Sequence, residues 1–504
     1  MRTLALSEVN PQEVDRVMRL LPIAALAAAA AVSGSAVAEV RLPRIFGDGM
    51  VLQQQAPVPV WGWAKEGERV TVSFAGQKKE AVAGADGKWT LRLDAMSASK
   101  ESREMIVAGG NTITFKDVVV GEVWLCSGQS NMDRQVAYCL NYETEKAFAK
   151  TPHIRECRIM PAHSERPLDD VTARWVVCSP ETFGGYYATS YYFAREVAAG
   201  LDVPVGVLAD AWGASYIEPW TSPEGFRMVP ELKELSQAVD AGGPFKVVPR
   251  GKAPTRPVCI FNGMIAPIIP FGIRGAIWYQ GEANAQDGID YLYKMQALIG
   301  GWRLLWKQGD FPFYYVQLAS FQLSNPNAPA GGDGWARIRE VQAMALRIPN
   351  TGMACAIDLG EAADIHPKNK QDVGKRLALW ALAKTYGKQA LVFSGPMYKS
   401  HAVEGASVRI SFDHAGGGLM LGRKKGLDPV TALADARLQW IAVAGEDKVW
   451  HWADAAIDGV TLLVSSPRVP KPVAVRYAYT ANPEGVLLYN KEGLPALPFR
   501  TDSW

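Results

Sequence analysis

The sequence predicts an α/β protein: a three-layer α/β/α domain on a parallel sheet, with β-rich, sandwich-like regions before and after it. Three observations carry this. Between residues 116 and 395, apolar runs of strand length alternate with segments of helix length, the pattern of a mostly parallel sheet covered by helices. Those runs are continuously apolar, as strands buried on both faces are. In residues 39–115 and 396–504, short runs instead alternate at period two between turn residues, the mark of antiparallel structure.

Taken in order, residues 1–38 stand apart. Arg16 and Arg19 precede an apolar run from Leu20 to Val32, and small residues follow it to Ala36-Val37-Ala38. This is the order of a secretory signal peptide cut after Ala38. Met18 precedes Arg19, so the expected true start is near Met18, with the first 17 residues an over-extended start. The run is shorter than the roughly 20 residues of a spanning helix. The expectation is therefore an exported protein, periplasmic or extracellular, with no stable membrane insertion after cleavage.

The N-terminal β-region holds strand candidates at Val58–Trp63, Val70–Phe74 and Trp89–Leu93. The α/β region offers strands at Val118–Cys126, Val205–Ala209, Gly275–Tyr279, Phe313–Leu318 and Met353–Leu359. Its helices are expected at Tyr187–Leu201, Tyr291–Lys307, Trp335–Ile348 and Asn369–Tyr386. β-type runs return at Val408–Phe412, Thr461–Val464 and Val473–Tyr477.

Composition narrows the function. A chain of 504 residues is long enough for about three domains, and 48% hydrophobic with 21% charged residues is ordinary globular usage. A formal net charge of +2 supplies no basic field to hold nucleic acid, which is excluded as a partner. The 16 Trp and 17 Tyr supply rings that either stack on sugars or fill cores. Six cysteines, with no C-x-x-C and no histidine at ligand spacing, give no metal site, and no cofactor is expected. Export would let some pair, with Cys139, Cys157 and Cys178 the candidates, while Cys126 and Cys355 lie in apolar runs as buried small hydrophobes.

In a parallel sheet ligands bind beyond the carboxyl ends of the strands. The first strand runs into Ser127-Gly128-Gln129-Ser130-Asn131-Met132, where Ser130 is either an exposed nucleophile or simply a helix cap. The second ends at Trp212-Gly213-Ala214-Ser215, where Gly213 lets a backbone amide approach a ligand. The third ends at Gln280-Gly281-Glu282-Ala283-Asn284, in which Gln280 and Asn284 are amide donors suited to an oxyanion. After the last strand, Asp358 and Asp364 precede His366, the one of six histidines that follows a buried strand with carboxylates beside it. Imidazole supplies the near-neutral base that a serine hydroxyl needs.

The run Gly121 to Met132, with the Cys126-Ser127-Gly128-Gln129-Ser130-Asn131-Met132 block, resembles the nucleophile block of the sialate O-acetylesterase family of SGNH hydrolases. The similarity extends through Phe46, Met50-Val51-Leu52-Gln53 and Trp61-Gly62-Trp63, through Trp278 to Asn284 and Asp364 to Lys370, and to Tyr489-Asn490, Gly493-Leu494-Pro495 and Pro498 to Asp502. The resemblance implies an SGNH/flavodoxin-like fold and a metal-free serine esterase that removes O-acetyl groups from carbohydrates through an acetyl-serine intermediate. It carries the nucleophile onto Ser130 and the base onto His366, with the oxyanion held by the amides of Ser130 and Gly213 and by Gln280 or Asn284.

Two positions depart from the family pattern. The acid commonly stands three residues before the histidine, where this chain has Ala363. Asp364 takes the role, with Asp358, Glu282 or a dyad without an acid as alternatives. The second block usually reads Trp-Gly-Gly, and here reads Trp212-Gly213-Ala214. Arg134 and Glu282 are placed as substrate-binding residues, Arg134 as the cation for a sugar carboxylate. The expected substrate is 9-O-acetylated sialic acid first and acetyl xylan or another plant glycan second. The rivals are a non-catalytic carbohydrate-binding protein and a serine peptidase or lipase.

Overall fold

One strand, Thr112–Gly128, organises the molecule. Its first residues alternate between exposed and half-buried, and from Val118 to Gly128 every residue is buried. The change marks a change of neighbours. The early part pairs antiparallel with Ser99–Ala108, which also pairs with Arg69–Phe74, while Val51–Gln53 lies parallel to Val119–Gly121. The later part is the centre of a parallel sheet, flanked by Val205–Ala211 on one side and Gly275–Tyr279 on the other.

The computed structural model of the chain describes residues 39–242 and 253–504. The expected export signal at residues 1–38 lies outside the described residues. From edge to edge the central sheet runs Thr351–Cys355, Phe313–Gln317, Gly275–Tyr279, Thr112–Gly128, Val205–Ala211, Ile154–Ile159 and Ala173–Val177, and only the last pair is antiparallel. Strands Val205–Ala211, Gly275–Tyr279 and Phe313–Gln317 are buried throughout. Helices make that burial possible: Ala188–Leu201 packs on Lys370–Trp380, and Asp290–Trp306 packs on Gly334–Met344. Side chains cap two of them, Asp333 accepting from the Ala336 amide at 2.8 Å and Asn369 from the Asp372 amide at 3.0 Å. No helix among the described residues is long and apolar enough to cross a membrane.

The flanking β-regions are tied to this sheet by buried ions. Glu122 accepts from Gln53, Gln54 and Arg274, which fastens the N-terminal strands to the long strand. The Arg339 guanidinium, fully buried, donates to the carbonyls of Leu318, Ala319, Thr480 and Ala481 and so joins the sheet to the C-terminal region. Strands resume at Met397–Glu404. The boundary expected between residues 115 and 116 falls inside the long strand, and residues 39–504 form one compact unit rather than separate bodies.

Two further expectations are corrected. The sheet gains Ile154–Ile159 and Ala173–Val177, whose charged residues disguised them. Arg155 is buried against carbonyls and the carboxylate of Asp117, and Glu156 accepts from Arg158 and from the Tyr187 amide. All six cysteines are buried and unpaired. Cys157 stands opposite Trp175, and the Cys178 amide bonds the Ile154 carbonyl, three residues along the same strand. That is roughly 10 Å at strand rise, too far for a disulfide.

The turn after Val205–Ala211 carries strain. Ala214 adopts φ +60°, a left-handed conformation that favours glycine. Ala214→Gly should therefore melt above the wild type and Ala214→Val below it, because β-branched side chains tolerate this region least. Calorimetry decides, and the reverse order would show that the neighbouring residues impose no left-handed backbone there.

Candidate active site

The site begins with a glycine that cannot be replaced. At Gly128 φ is +143°, and a Cβ there would stand 2.2 Å from the Tyr279 carbonyl oxygen. This close approach lets the Gln129 amide donate to that carbonyl at 3.0 Å. The Gln129 side chain accepts from the amides of Gly281 and Ala283. The first and third strand ends are thus sewn together before the chain turns into the short helix Ser130–Asp133. Its N-cap is Gln129, so Ser130 is the first helical residue and not the cap.

Ser130 Oγ lies 2.9 Å from His366 Nε2. Behind the ring, Asp364 Oδ1 is 3.4 Å from His366 Nδ1 and accepts from the His366 backbone amide at 2.9 Å. Burial pushes the imidazole below its ordinary value. The Lys370 and Arg134 cations add to that shift, and the Asp364 carboxylate opposes it. Asp364 itself is held below the usual carboxylate range, chiefly by the His366 amide. The ring is therefore neutral at neutral pH and able to accept a proton.

The alternatives for the acid are committed elsewhere. Both Asp358 oxygens are held by Arg376, at 2.6 and 2.8 Å, in a buried ion pair. Glu282 Oε1 accepts from Asn131 Nδ2 at 2.5 Å, and its Oε2 is buried, so Glu282 supports the serine turn and is not presented to substrate as expected. Burial raises its carboxyl above the usual range.

The oxyanion expectations divide. Gly213 is brought against Ser130, a Cβ built on it lying 3.5 Å from Ser130 Cβ and 3.3 Å from Asp133 Oδ2, but its amide bonds the Asp133 carboxylate. Gln280 and Asn284 are not donors to this site. Gln280 Nε2 is spent on the Ser215 carbonyl and Asn284 Oδ1, while Asn284 Nδ2 is spent on Glu218 and Asp287. Both are fully buried and brace the loop from Ser215 to Glu218. Arg134 is near enough for its charge to act on His366 and Asp364; its guanidinium lies 4.7 Å from the Tyr138 ring centroid, and its Nε is buried without a hydrogen-bond partner among the described residues.

The sequence reading left Asn131 and Lys370 without roles, although both stand in the blocks it singled out. Asn131 adjoins Ser130, and Lys370 lies four residues after His366. Lys370 is fully buried, with Nζ 2.6 Å from Asn131 Oδ1. Among the described residues no group of three or more His, Cys, Asp or Glu could hold a metal ion.

Comparison with known proteins places the chain in a family. Residues 258–383, which include the third strand end and His366, match the family model described as SASA, carbohydrate esterase, sialic acid-specific acetylesterase. The chain is 30% identical over 533 residues to the sialate O-acetylesterase of Mus musculus, covering 93% of this chain and 96% of that one. It is 29% identical to the sialate O-acetylesterase of Homo sapiens, over 91% of this chain and 92% of the relative. A crystal structure of a carbohydrate acetylesterase from Xanthomonas citri superimposes with a TM-score of 0.81 at 35% identity, covering 92% of this chain and all of that one. With relatives of this similarity along nearly its whole length, the chain belongs to the sialate O-acetylesterase family and is a carbohydrate esterase.

Proposed function

We propose that the protein is an exported serine esterase that hydrolyses O-acetyl groups of glycans outside the cytoplasm, 9-O-acetylated sialic acid first among them. The observation that carries the mechanism is the 2.9 Å contact between Ser130 Oγ and a neutral His366 Nε2. His366 takes the serine proton as Oγ bonds to the acetyl carbonyl carbon. The Ser130 amide is the donor left to meet the tetrahedral oxyanion, since the Gly213 amide bonds the Asp133 carboxylate; a donor of this kind is worth roughly 10²- to 10³-fold in rate. The C–O bond to the sugar breaks, and His366 returns the proton to the departing hydroxyl. Water, deprotonated by the same ring, then releases acetate and restores Ser130. Asp364 holds the imidazole in the tautomer with its proton on Nδ1. Segment 16–38 supports export by its basic, apolar and small-residue order.

Ser130→Ala and His366→Ala should each abolish nearly all release of 4-nitrophenol from its acetate ester. The double variant should be little worse than either, because groups acting as one unit are not additive. Retention of more than about a tenth of wild-type turnover by Ser130→Ala would remove the serine from this role.

The pH dependence follows from the ring. Catalysis needs neutral His366, so kcat/KM is on its plateau at neutral pH and falls as acid protonates the ring, with its midpoint below the ordinary histidine value of about 6.5. Asp364→Asn removes the charge that raises this pKa. The acid limb should therefore move to still lower pH while plateau turnover falls by roughly 10²-fold or more. An acid limb that moves upward would contradict the placement of Asp364 beside the ring.

For the substrate, Arg134 supports a sugar that bears a carboxylate. Well above neutral pH, where His366 is neutral with or without this cation, Arg134→Ala should lower kcat/KM for 9-O-acetylated sialic acid roughly tenfold more than for 4-nitrophenyl acetate. Equal losses would reject the carboxylate contact, and faster acetate release from acetyl xylan would replace sialic acid as the substrate.

A further inference from the structure

The least expected group near the site is the Lys370 ammonium. It is fully buried and stands at the first residue of the helix Lys370–Trp380, the end where the helix dipole disfavours a cation. Burying an ammonium is costly unless its protons are matched. Here Nζ donates to Asn131 Oδ1 at 2.6 Å and to the Pro367 carbonyl at 2.9 Å, with the Tyr279 ring centroid 5.3 Å away.

Asn131 completes the arrangement. Its Nδ2 donates to Glu282 Oε1 at 2.5 Å and to the Ile365 carbonyl at 3.0 Å, and its own carbonyl accepts from Thr189 Oγ1. Both amide protons and the amide oxygen of Asn131 are thereby used. Ile365 and Pro367 are the two chain neighbours of His366. The residue after the nucleophile therefore grips the chain on one side of the base directly and on the other side through Lys370.

We propose that Lys370 is a positioning residue for ester hydrolysis: acting through Asn131, with Glu282 as counter-charge, it sets the distance between Ser130 and His366. The proposal rests on the Ser130–His366 mechanism above. A neutral side chain of similar length would fill the same space and could still be hydrogen-bonded. What the cation adds, across the acid range where His366 titrates, is a positive charge that opposes protonation of the ring. Burial lowers Lys370 itself, to about 8. The charged and titratable groups facing it are Glu282, Glu361, Arg134 and the Cys139 thiol, and those facing the ring besides Lys370 are Asp364 and Arg134.

Two variants separate the brace from the charge. Lys370→Met removes both, and Asn131→Ala removes the brace and leaves the ammonium. With 4-nitrophenyl acetate, each should lower kcat by roughly 30- to 100-fold and leave KM within about threefold, since a displacement near 1 Å costs about 10²-fold in rate. The acid limb of kcat/KM should move to higher pH in Lys370→Met and stay in place in Asn131→Ala. If Lys370→Met does not fold, as judged by its melting transition, Asn131→Ala alone decides: its kcat within threefold of wild type overturns the proposal. A folded Lys370→Met with wild-type kcat and an unmoved acid limb also overturns it. Labelling of the wild type by a fluorophosphonate, located by peptide mass, tells the two failures apart. Absence of label at Ser130 sinks the serine mechanism, whereas a labelled Ser130 with insensitive variants sinks only the role of Lys370.

Discussion

Gly128 holds the position on which the site depends. Its backbone passes so close to the Tyr279 carbonyl that a side chain cannot fit, and this contact locks the end of the central strand to the end of its neighbour. The strand is buried from Val118 onward, so its last residue cannot drift. A helical turn begun from that fixed point presents Ser130 at the topological switch of the sheet, where Val205–Ala211 and Gly275–Tyr279 lie on opposite sides of the same strand. Gly213 and the third loop come to the serine because their strands are registered to it, not through any local preference of their own.

Around that point the protein places polar groups where apolar ones would be cheaper. Glu282, Asn131 and Lys370 form one chain of hydrogen bonds beneath the reacting pair, and Arg376 with Asp358 forms a buried ion pair further along the histidine loop. Such groups are specific in a way that packed hydrocarbon is not, because a shift of register leaves a buried charge unmatched. The histidine loop carries little regular structure of its own. Its position comes from these contacts and from the bonds of Asn131 and Lys370 to Ile365 and Pro367.

Much of this was legible in the sequence, for physical reasons that also explain the misses. Strands buried on both faces are largely apolar, so Gly275–Tyr279 and Val205–Ala209 were plain, although the second strand runs on through the buried Asp210 to Ala211. Ile154–Ile159 was not, because Arg155 and Glu156 meet their partners only in the folded chain. The boundary placed at residue 115 was a real change of pattern, from alternating to continuously buried, but it arises where one strand exchanges neighbours. Ser130 and His366 could be singled out because few residue types offer a hydroxyl and a near-neutral base, and the fold brings the two to 2.9 Å. Gln280 and Asn284 misled, since an amide that could stabilise an anion and one that braces a loop are the same residue in sequence. Lys370 was invisible as a functional residue because lysine on a helix is ordinarily solvated.

The central claim is that Ser130 becomes covalently acetylated in each turnover. Mixing the enzyme with an acetylated sugar, quenching in acid during turnover and measuring peptide masses tests it directly. The account predicts one acetyl group on the peptide bearing Ser130, absent from enzyme quenched before substrate is added. Steady acetate release with no acetylated peptide, or with the acetyl group on another residue, would contradict it.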